Sequence, residues 1–434
     1  MRSILGGVGL KSNIIKHQSP FIKIIKIISR CHLNYGEDMM TLTLTSHLNK
    51  IARKTGRELK IDIKYRILPS KGTFRSWMHL IGNNVSISSE MPDNTILRGI
   101  AYLLLPIKSL IEAKSNKYNA FLYLGGDVFS DYYFGIDTLS DFVSFKFLHL
   151  AGKDAILPGH TVGPFSSWKR VVAKFCLKDT IIFSRDRWSY KYLISDLKLD
   201  PQKVRSSADL AFLPLPNQYN HEYIKKVLRR YKLREDRYIT IVPSGLWWKY
   251  TNRYDKYVEN WVRLINKLEE HPDLFSMKIV LLSHVLDRPE LSDSALITEI
   301  SKKLKAKNKR SIVQITEPIP PTDARIILGN GIFTITGRMH AAISTFQMGK
   351  PAISLSYSAK YKGIIGYELN LEDLIIDARG DKIWENGKII TAILNRVEYT
   401  LDNYSKLTRK IKFYTRLQCE KAHDMIRDII NHMG

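Results

Sequence analysis

Short runs of β-branched and aromatic residues alternate with stretches whose apolar residues recur at helical spacing, and the alternation persists along most of the chain. Residues 21–29 (FIKIIKIIS) read as a first strand, residues 34–38 (NYGED) as a turn, and residues 39–54 as a helix. The apolar run 120–124 (AFLYL) is closed by Gly125-Gly126. Compact runs at 155–157 and 180–183 follow, each with a helical stretch before the next. Strands that alternate with helices predict a parallel sheet covered by helices, because parallel neighbours need a long crossover between them.

After Leu213-Pro214-Leu215-Pro216 and a polar stretch to His221 the pattern restarts. A strand is expected at 238–242, and a helix at 257–270 with Val258, Trp261, Val262, Ile265 and Leu268 on one face. Strand-like runs follow at 277–282, 311–315, 332–336 and 352–356, and from Trp384 the chain is helical and strongly charged. The whole reads as an α/β protein: a basic arm at 1–19, a first domain at 20–215, a second at 216–378, and C-terminal helices at 379–434 packing across both. A length of 434 residues agrees with two cores, since single cores seldom grow so large. Open parallel sheets bind ligands beyond the carboxyl ends of their strands. Two such domains in opposition therefore place both sets of strand ends around one cleft.

Composition then narrows the possible classes. A chain that is 44% hydrophobic and 25% charged is not disordered. The cysteines, Cys31, Cys176 and Cys419, form no CxxC pair, which excludes a disulfide scaffold or cysteine-rich metal knuckle and points to a reducing, cytoplasmic compartment. The longest apolar window, 96–111, is broken by Arg98, Pro106 and Lys108, so no membrane span is expected. Lys23, Lys26 and Arg30 interrupt the apolar residues near the start, unlike a secretory leader. The 67 Lys and Arg exceed the 42 Asp and Glu to give a net charge of +25, which favours an anionic partner: nucleic acid, an acidic membrane or a phosphorylated substrate. Nucleic acid is the weakest of the three, because aromatics do not interleave with a basic stripe and no nucleic-acid motif is present. With no HExxH, no ligand spacing among the histidines and no Walker A sequence, the reaction is expected to need no metal, or only loosely held Mg²⁺.

The unusual residues fall directly after strands. At 332–357, a strand ends at Thr336, Gly337 turns the chain, and Arg338-Met339-His340 open a helix that runs to about Met348. A helix start already carries partial positive charge and unpaired amides, so a basic pair there makes sense if phosphate or carboxylate binds. The alternative is an arginine paired to a distant acid beside a packed histidine. Arg185 occupies a second such start, with Asp186 either capping the helix or orienting the arginine, and Arg187 solvated. In 156–165, Gly159, Gly163 and Pro164 mark a tight loop from which His160 projects, able to exchange a proton near neutral pH. Gly125-Gly126 lets backbone approach a ligand, without the later glycine of a dinucleotide fingerprint. Asp127 and Asp131 either serve sugar hydroxyls or are surface acids. Asp209 lies in an apolar context, while Tyr357 and Lys360 follow the last strand of the second domain, Lys360 as a compact phosphate contact. Acceptor specificity is expected in loops 72–83 and 245–253, where Trp247, Trp248 and Tyr250 either stack on sugar or pack structurally.

Together and in this order these segments resemble the polysaccharide pyruvyl transferase family. The matching pieces are YGED at 35–38, LGGDVFSD at 124–131, GHTVGPF at 159–165, SRDRWS at 184–189, DLAF at 209–212, and TGRMHAA with KPAISLSYSAKYKG within 336–363. The match runs from about residue 20 to about 365. It departs where the family has three glycines and this chain has Gly125-Gly126-Asp127, and in the basic arm before the first strand.

The resemblance implies two Rossmann-like domains facing a central cleft, similar to the GT-B glycosyltransferases. It also implies transfer of the enolpyruvyl group of phosphoenolpyruvate to two hydroxyls of one sugar, giving a cyclic ketal and free phosphate, with no cofactor. The acceptor is then a saccharide of an exopolysaccharide, a cell-wall polymer or a lipid-linked repeat. On this reading Arg338 and Arg185, with Lys360, hold the donor, and Gly125, Gly126, Asp127 and Tyr357 line the substrate site. His340 serves the proton or phosphate side of the donor and His160 the acceptor hydroxyl, or the reverse. The basic arm is expected to hold the enzyme peripherally at the anionic inner face of the membrane. A sugar-nucleotide glycosyltransferase of the same shape is the rival reading. A family member whose pyruvyl activity is lost or redirected is another.

Overall fold

The alternation of strands and helices becomes two parallel sheets in the computed structural model, which describes residues 22–31, 33–67, 82–92, 94–286, 292–304 and 311–433. The first sheet joins β1 (Ile22–Cys31), β2 (Glu58–Ile67), β3 (Val85–Ser89), β4 (Ala120–Tyr123), β5 (Ala155–His160), β6 (Ile181–Ser184) and β7 (Val204–Ser206). Their spatial order is β3-β2-β1-β4-β5-β6-β7 and every pairing is parallel. Ile25 pairs with Ile61 and Ile27 with Leu122, which sets apolar rows side by side.

The helices of this domain are α1 (Tyr35–Lys54), α2 (Thr95–Lys114), α3 (Ile136–Leu150), α4 (Ser167–Leu177) and α5 (Arg187–Lys191). The strand order reverses direction at β1 and β4. Because crossovers between parallel strands are right-handed, α1 covers one face of the sheet and α2, α3 and α4 the other. The cores agree: Leu44 of α1 belongs to one apolar cluster, whereas Ala113, Phe142 and Ala173 of α2, α3 and α4 belong to another. Residues 34–38 are not a free turn. Asn34 accepts from the Gly36 amide and caps α1, so Tyr35-Gly36-Glu37-Asp38 form the first helical turn, where two carboxylates suit the positive helix end.

The second sheet has the order β10-β9-β8-β11-β12-β13, from β8 (Tyr238–Val242), β9 (Lys278–Leu282), β10 (Ile312–Ile315), β11 (Thr334–Thr336), β12 (Ala352–Ser356) and β13 (Ile375–Asp377). All residues of β8, β11 and β12 are buried, as central parallel strands covered on both faces require. Around it lie α6 (His221–Arg230), α7 (Tyr254–Glu269), α8 (Asp293–Lys303), α9 (Pro321–Asn330) and α10 (Met339–Gln347), followed by α11 (Asp381–Glu385), α12 (Lys388–Asp402) and α13 (Tyr404–His432). Ile411 and Ile426 of α13 share one core with Leu44 of the first domain and Phe346 of the second. Arg205 pairs with Asp428 at 2.8 Å, and Lys421 with Glu368 at 3.1 Å.

The arm at 1–19 and residues 72–81 of the loop 72–83 lie outside the described residues. No described helix is long and apolar enough to cross a membrane.

Candidate functional site

The carboxyl ends of the strands of both sheets turn toward one cleft of about 850 Å³. The first domain lines it with Asp127, Tyr132, Tyr133 and Thr161, and the second with Lys249, Tyr357 and Lys360. Each comes from the segment that follows a strand, as the geometry of parallel sheets dictates.

The central feature joins the two domains. Arg185 follows β6 and is wholly buried, its Nη1 donating to Asp209 Oδ2 at 2.6 Å and its Nε to Thr161 Oγ1 at 2.9 Å. Among the described residues its Nη2 has no hydrogen-bond partner. A Cβ on Gly126 would stand 3.0 Å from that guanidinium, so a glycine is what lets Arg185 lie against the backbone. His340, in the first turn of α10, reaches across from the other domain and places Nε2 3.4 Å from the same Asp209 oxygen. A Cβ on Gly36 would stand 2.4 Å from His340 Nδ1, so the first turn of α1 must carry glycine for the ring to fit. Burial alone would raise the Asp209 carboxyl. Arg185 and His340 overcome that and hold it below the usual carboxylate range.

Two further ion pairs and one cation–π contact complete the site. Arg338 caps α10 by position and sends both Nε and Nη2 to Asp293 Oδ1, at 3.1 and 2.6 Å. Asp293 is itself fixed by the amides of Gly245, His284 and Val285. Lys360 of the second domain meets Asp127 of the first at 3.2 Å and donates to the Tyr357 hydroxyl at 3.0 Å. Burial opposes the charge of both partners, yet their attraction prevails: Asp127 is lowered and Lys360 is held well above its ordinary value. Among the described residues Lys249 has no carboxylate partner; its ammonium lies 4.0 Å over the Tyr132 ring, and burial with repulsion from Lys360 lowers it.

Asp209, Asp293 and Asp127 are set against Arg185, Arg338 and Lys360, and the cleft wall carries Lys249, Lys362 and Arg379 beside Asp131, Asp186, Glu372 and Asp377, so cations and carboxylates alternate around it. Among the described residues no group of three or more His, Cys, Asp or Glu side chains is arranged to hold a metal ion.

A family model described as polysaccharide pyruvyl transferase matches residues 34–359, well over half of the 434 residues. This chain belongs to the polysaccharide pyruvyl transferase family. It is also 22% identical over 333 residues to the amylovoran biosynthesis protein AmsJ of Erwinia amylovora, covering 74% of each chain. Its fold is shared with solved structures of low identity. A putative UDP-N-acetylglucosamine 2-epimerase from Listeria monocytogenes aligns with a TM-score of 0.63 and 13% identity over 95% of this chain and 97% of that one. The UDP-GlcNAc 2-epimerase of Neisseria meningitidis, bound to UDP-GlcNAc, gives 0.63 and 9% over 94% and 100%. The Phytolacca americana UGT2 gives 0.55 and 10% over 95% and 99%. The architecture is therefore GT-B-like, and the protein is a transferase of this family.

The family motifs do not all sit where the sequence suggests. His160 does not project from a loop. It is the last residue of β5, wholly buried, with Nε2 2.8 Å from the Tyr123 carbonyl and its ring stacked on Phe129. A register shift between Leu157 and His160, with Gly159 at φ 71°, aims the ring inward. Burial, and then Arg185, pushes its imidazole down to about 3, so it is neutral and not exposed to an acceptor. Gly125 leaves room for Val128 and His160 rather than for a ligand. Arg185 and Arg338 do not jut into the open cleft. They lie behind it, each clamped to a carboxylate. Asp186 caps α5 by accepting from Ser189, and the mostly exposed Arg187 meets Glu368 at 3.2 Å. Asp131 pairs with Lys169 at 3.1 Å. Tyr250 is buried, donating to the Gly337 carbonyl at 2.8 Å, so it cannot stack on a sugar; Trp248 in the same loop is exposed.

Thr161, Lys249, His284 and Asp293 are missed by sequence reasoning. Asp293 carries no local signal, because its partner lies on another strand end. Lys249 hides in a segment dominated by aromatics.

Proposed function

We propose that this chain moves the enolpyruvyl group of phosphoenolpyruvate onto two hydroxyls of a saccharide, forming a cyclic pyruvate ketal for a cell-surface polysaccharide. The observation that carries the reading is the meeting of Arg185 and His340, from opposite domains, at one oxygen of Asp209, with Arg185 Nη2 left without a hydrogen-bond partner among the described residues. A buried cation with an unused donor, beside an imidazole, is suited to an anion that supplies acceptors.

In this reading Lys360 and Lys249, at the cleft, and Arg185 and Arg338, behind it, provide the field that holds the donor's phosphate and carboxylate. His340, paired with the carboxylate of Asp209, delivers a proton to the methylene carbon. The central carbon becomes electron-poor and the first hydroxyl adds to it, giving up its proton to a base. Asp127, ionised at the cleft wall, is better placed as that base than the buried His160. The second hydroxyl then displaces phosphate, whose oxygens carry its proton away, and the ketal is closed. Tyr132, Tyr133, Trp188 and Tyr367 along the cleft offer ring faces to the sugar. Lipid linkage of the acceptor and a peripheral membrane position are part of the same proposal.

The rival reading, a sugar-nucleotide glycosyltransferase, uses the same fold and also needs cations. Thermal unfolding with phosphoenolpyruvate or with UDP- and CDP-sugars separates them: a ligand at 100 times its dissociation constant adds about 2.7 kcal/mol of stability. Stabilisation by phosphoenolpyruvate alone supports pyruvyl transfer. Stabilisation by a sugar nucleotide alone overturns it.

A further inference from the structure

Arg325 stands in the middle of α9, in the second domain, and is wholly buried. Among the described residues it forms no salt bridge. Its surroundings are apolar: Met39 of α1, Ala324 and Ile326 of its own helix, and Ala341 of α10 share one core. Burial pushes its guanidinium down to about 10. A buried cation without a counter-charge is costly, and an apolar side chain of similar volume would fill the same space without that cost. What the guanidinium supplies instead is a rigid fork with donors in several directions.

The fork meets carbonyls, an amide and a thioether. Its Nη1 donates to the Leu213 carbonyl at 2.8 Å and to Gln218 Oε1 at 3.2 Å. Its Nη2 donates to the Ala211 carbonyl at 2.7 Å and lies 3.7 Å from Met39 Sδ. These partners belong to the pieces that place His340. Ala211 lies in the turn after Asp209, and its amide donates to Asp209 Oδ1 at 2.8 Å. Met39 is three residues beyond Gly36, on the same face of α1. Its sulfur also accepts from Ser344 Oγ at 3.0 Å, and Ser344 is one helical turn beyond His340 on α10. Gln218, in the link between the domains, donates to Gln347 at the far end of α10. One side chain of the second domain thus holds the turn after Asp209, the helix start that carries Gly36, and the interdomain link.

We infer that Arg325 is a positioning residue: its fork ties Asp209 and the start of α1 to the second domain, and so sets His340 against both. It acts through the carbonyls of residues 211 and 213 and through Met39, without touching donor or acceptor. Displacing either piece moves a wall of the niche in which the imidazole sits, since Asp209 Oδ2 is 3.4 Å from Nε2 and Gly36 leaves no space for a Cβ beside Nδ1. A lysine ammonium keeps the charge but is a single nitrogen, and it does not reproduce the fork. The inference deepens the reading of His340 as the proton donor and rests on it; the placement of the ring is measured without it.

The test places Arg325→Met and Arg325→Lys in the full chain, each alone and combined with His340→Ala, with circular dichroism to confirm the fold. At saturating phosphoenolpyruvate, each single variant lowers kcat for phosphate release by about 10–10²-fold, as a misplaced reacting group does. In the His340→Ala background neither lowers kcat further, because the ring that Arg325 places is gone. The same fold-loss in both backgrounds overturns the inference, since Arg325 then acts on the fold or on another group. Full activity in either folded variant overturns it too, and so does failure of both to fold; if only one folds, that one decides. The second readout is the imidazole NMR signals, those of His340 being the ones lost in His340→Ala. They move in the folded Arg325 variants while those of His149 on α3 stay; unmoved His340 signals contradict the placement. If the wild type releases no phosphate, the pyruvyl reading fails by itself, and the imidazole signals still decide on Arg325.

Discussion

His340 is positioned by a carboxylate and by the absence of a side chain, both from the other domain. His340→Ala is expected to lower kcat by about 10²–10⁴-fold, the usual worth of a positioned acid, with circular dichroism unchanged. Gly36→Ala tests the positioning without touching the imidazole chemically: a Cβ 2.4 Å from Nδ1 must displace the ring. It should lower kcat at least tenfold while leaving the chain folded; full activity in Gly36→Ala would show that the ring's place does not matter. Asp209→Asn leaves the Arg185 guanidinium buried without its counter-charge, which costs about 3–5 kcal/mol in urea unfolding. At this scale the sequence was partly legible. The Gly-Arg-x-His and Ser-Arg-Asp segments stood out by position, because cations at strand ends break a local rule. Of their carboxylate partners, Asp209 stood out only by its apolar context and Asp293 not at all, because ion pairs between distant segments leave no local pattern.

Among elements, the least legible is β5, where three residues read as strand and the next as loop. The backbone instead continues through a bulge to His160, and a shift of this kind exchanges inward for outward side chains without changing composition. Lys26 poses a similar problem in β1, an apolar strand with a lysine at its centre. Its ammonium is buried between Glu90 at 2.6 Å and Glu112 at 2.8 Å, and Arg66 adds Asp141 to the network. Burial opposes the Glu90 charge, but Arg66 and Lys26 bring its carboxyl down to about 2 from an unfolded value of 4.5. A folded value below the unfolded one means stabilisation that is complete above about pH 4.5 and lost as pH falls toward 2. The linkage is on the order of 3 kcal/mol. Urea unfolding of Glu90→Gln should therefore show lower stability near neutrality and a flatter decline across that acid window. An identical acid profile in wild type and variant would remove Glu90 from the network's energetics.

The molecule as a whole is legible as two α/β layers, because strand and helix periods survive even where boundaries drift by a few residues. What does not show in the pattern is how firmly the halves are joined. The long helix α13 lays Ile411 and Ile426 into a core that contains residues of both domains, and the Lys360–Asp127 and His340–Asp209 contacts close the gap at the cleft. Both domains are thus expected to unfold in one thermal transition. Ile426→Ala should lower stability by about 2–5 kcal/mol and shift that whole transition, as loss of a shared core residue does. Two separate calorimetric transitions in the wild type would contradict the shared core.

The most direct measurement of the central claim is incubation of the full chain with phosphoenolpyruvate and a panel of saccharides, following free phosphate and the mass of the sugar product together. Equal amounts of phosphate and pyruvate-ketal sugar, both abolished in His340→Ala, are the predicted result. Sugar transfer from a nucleotide donor with no phosphate released from phosphoenolpyruvate would contradict it.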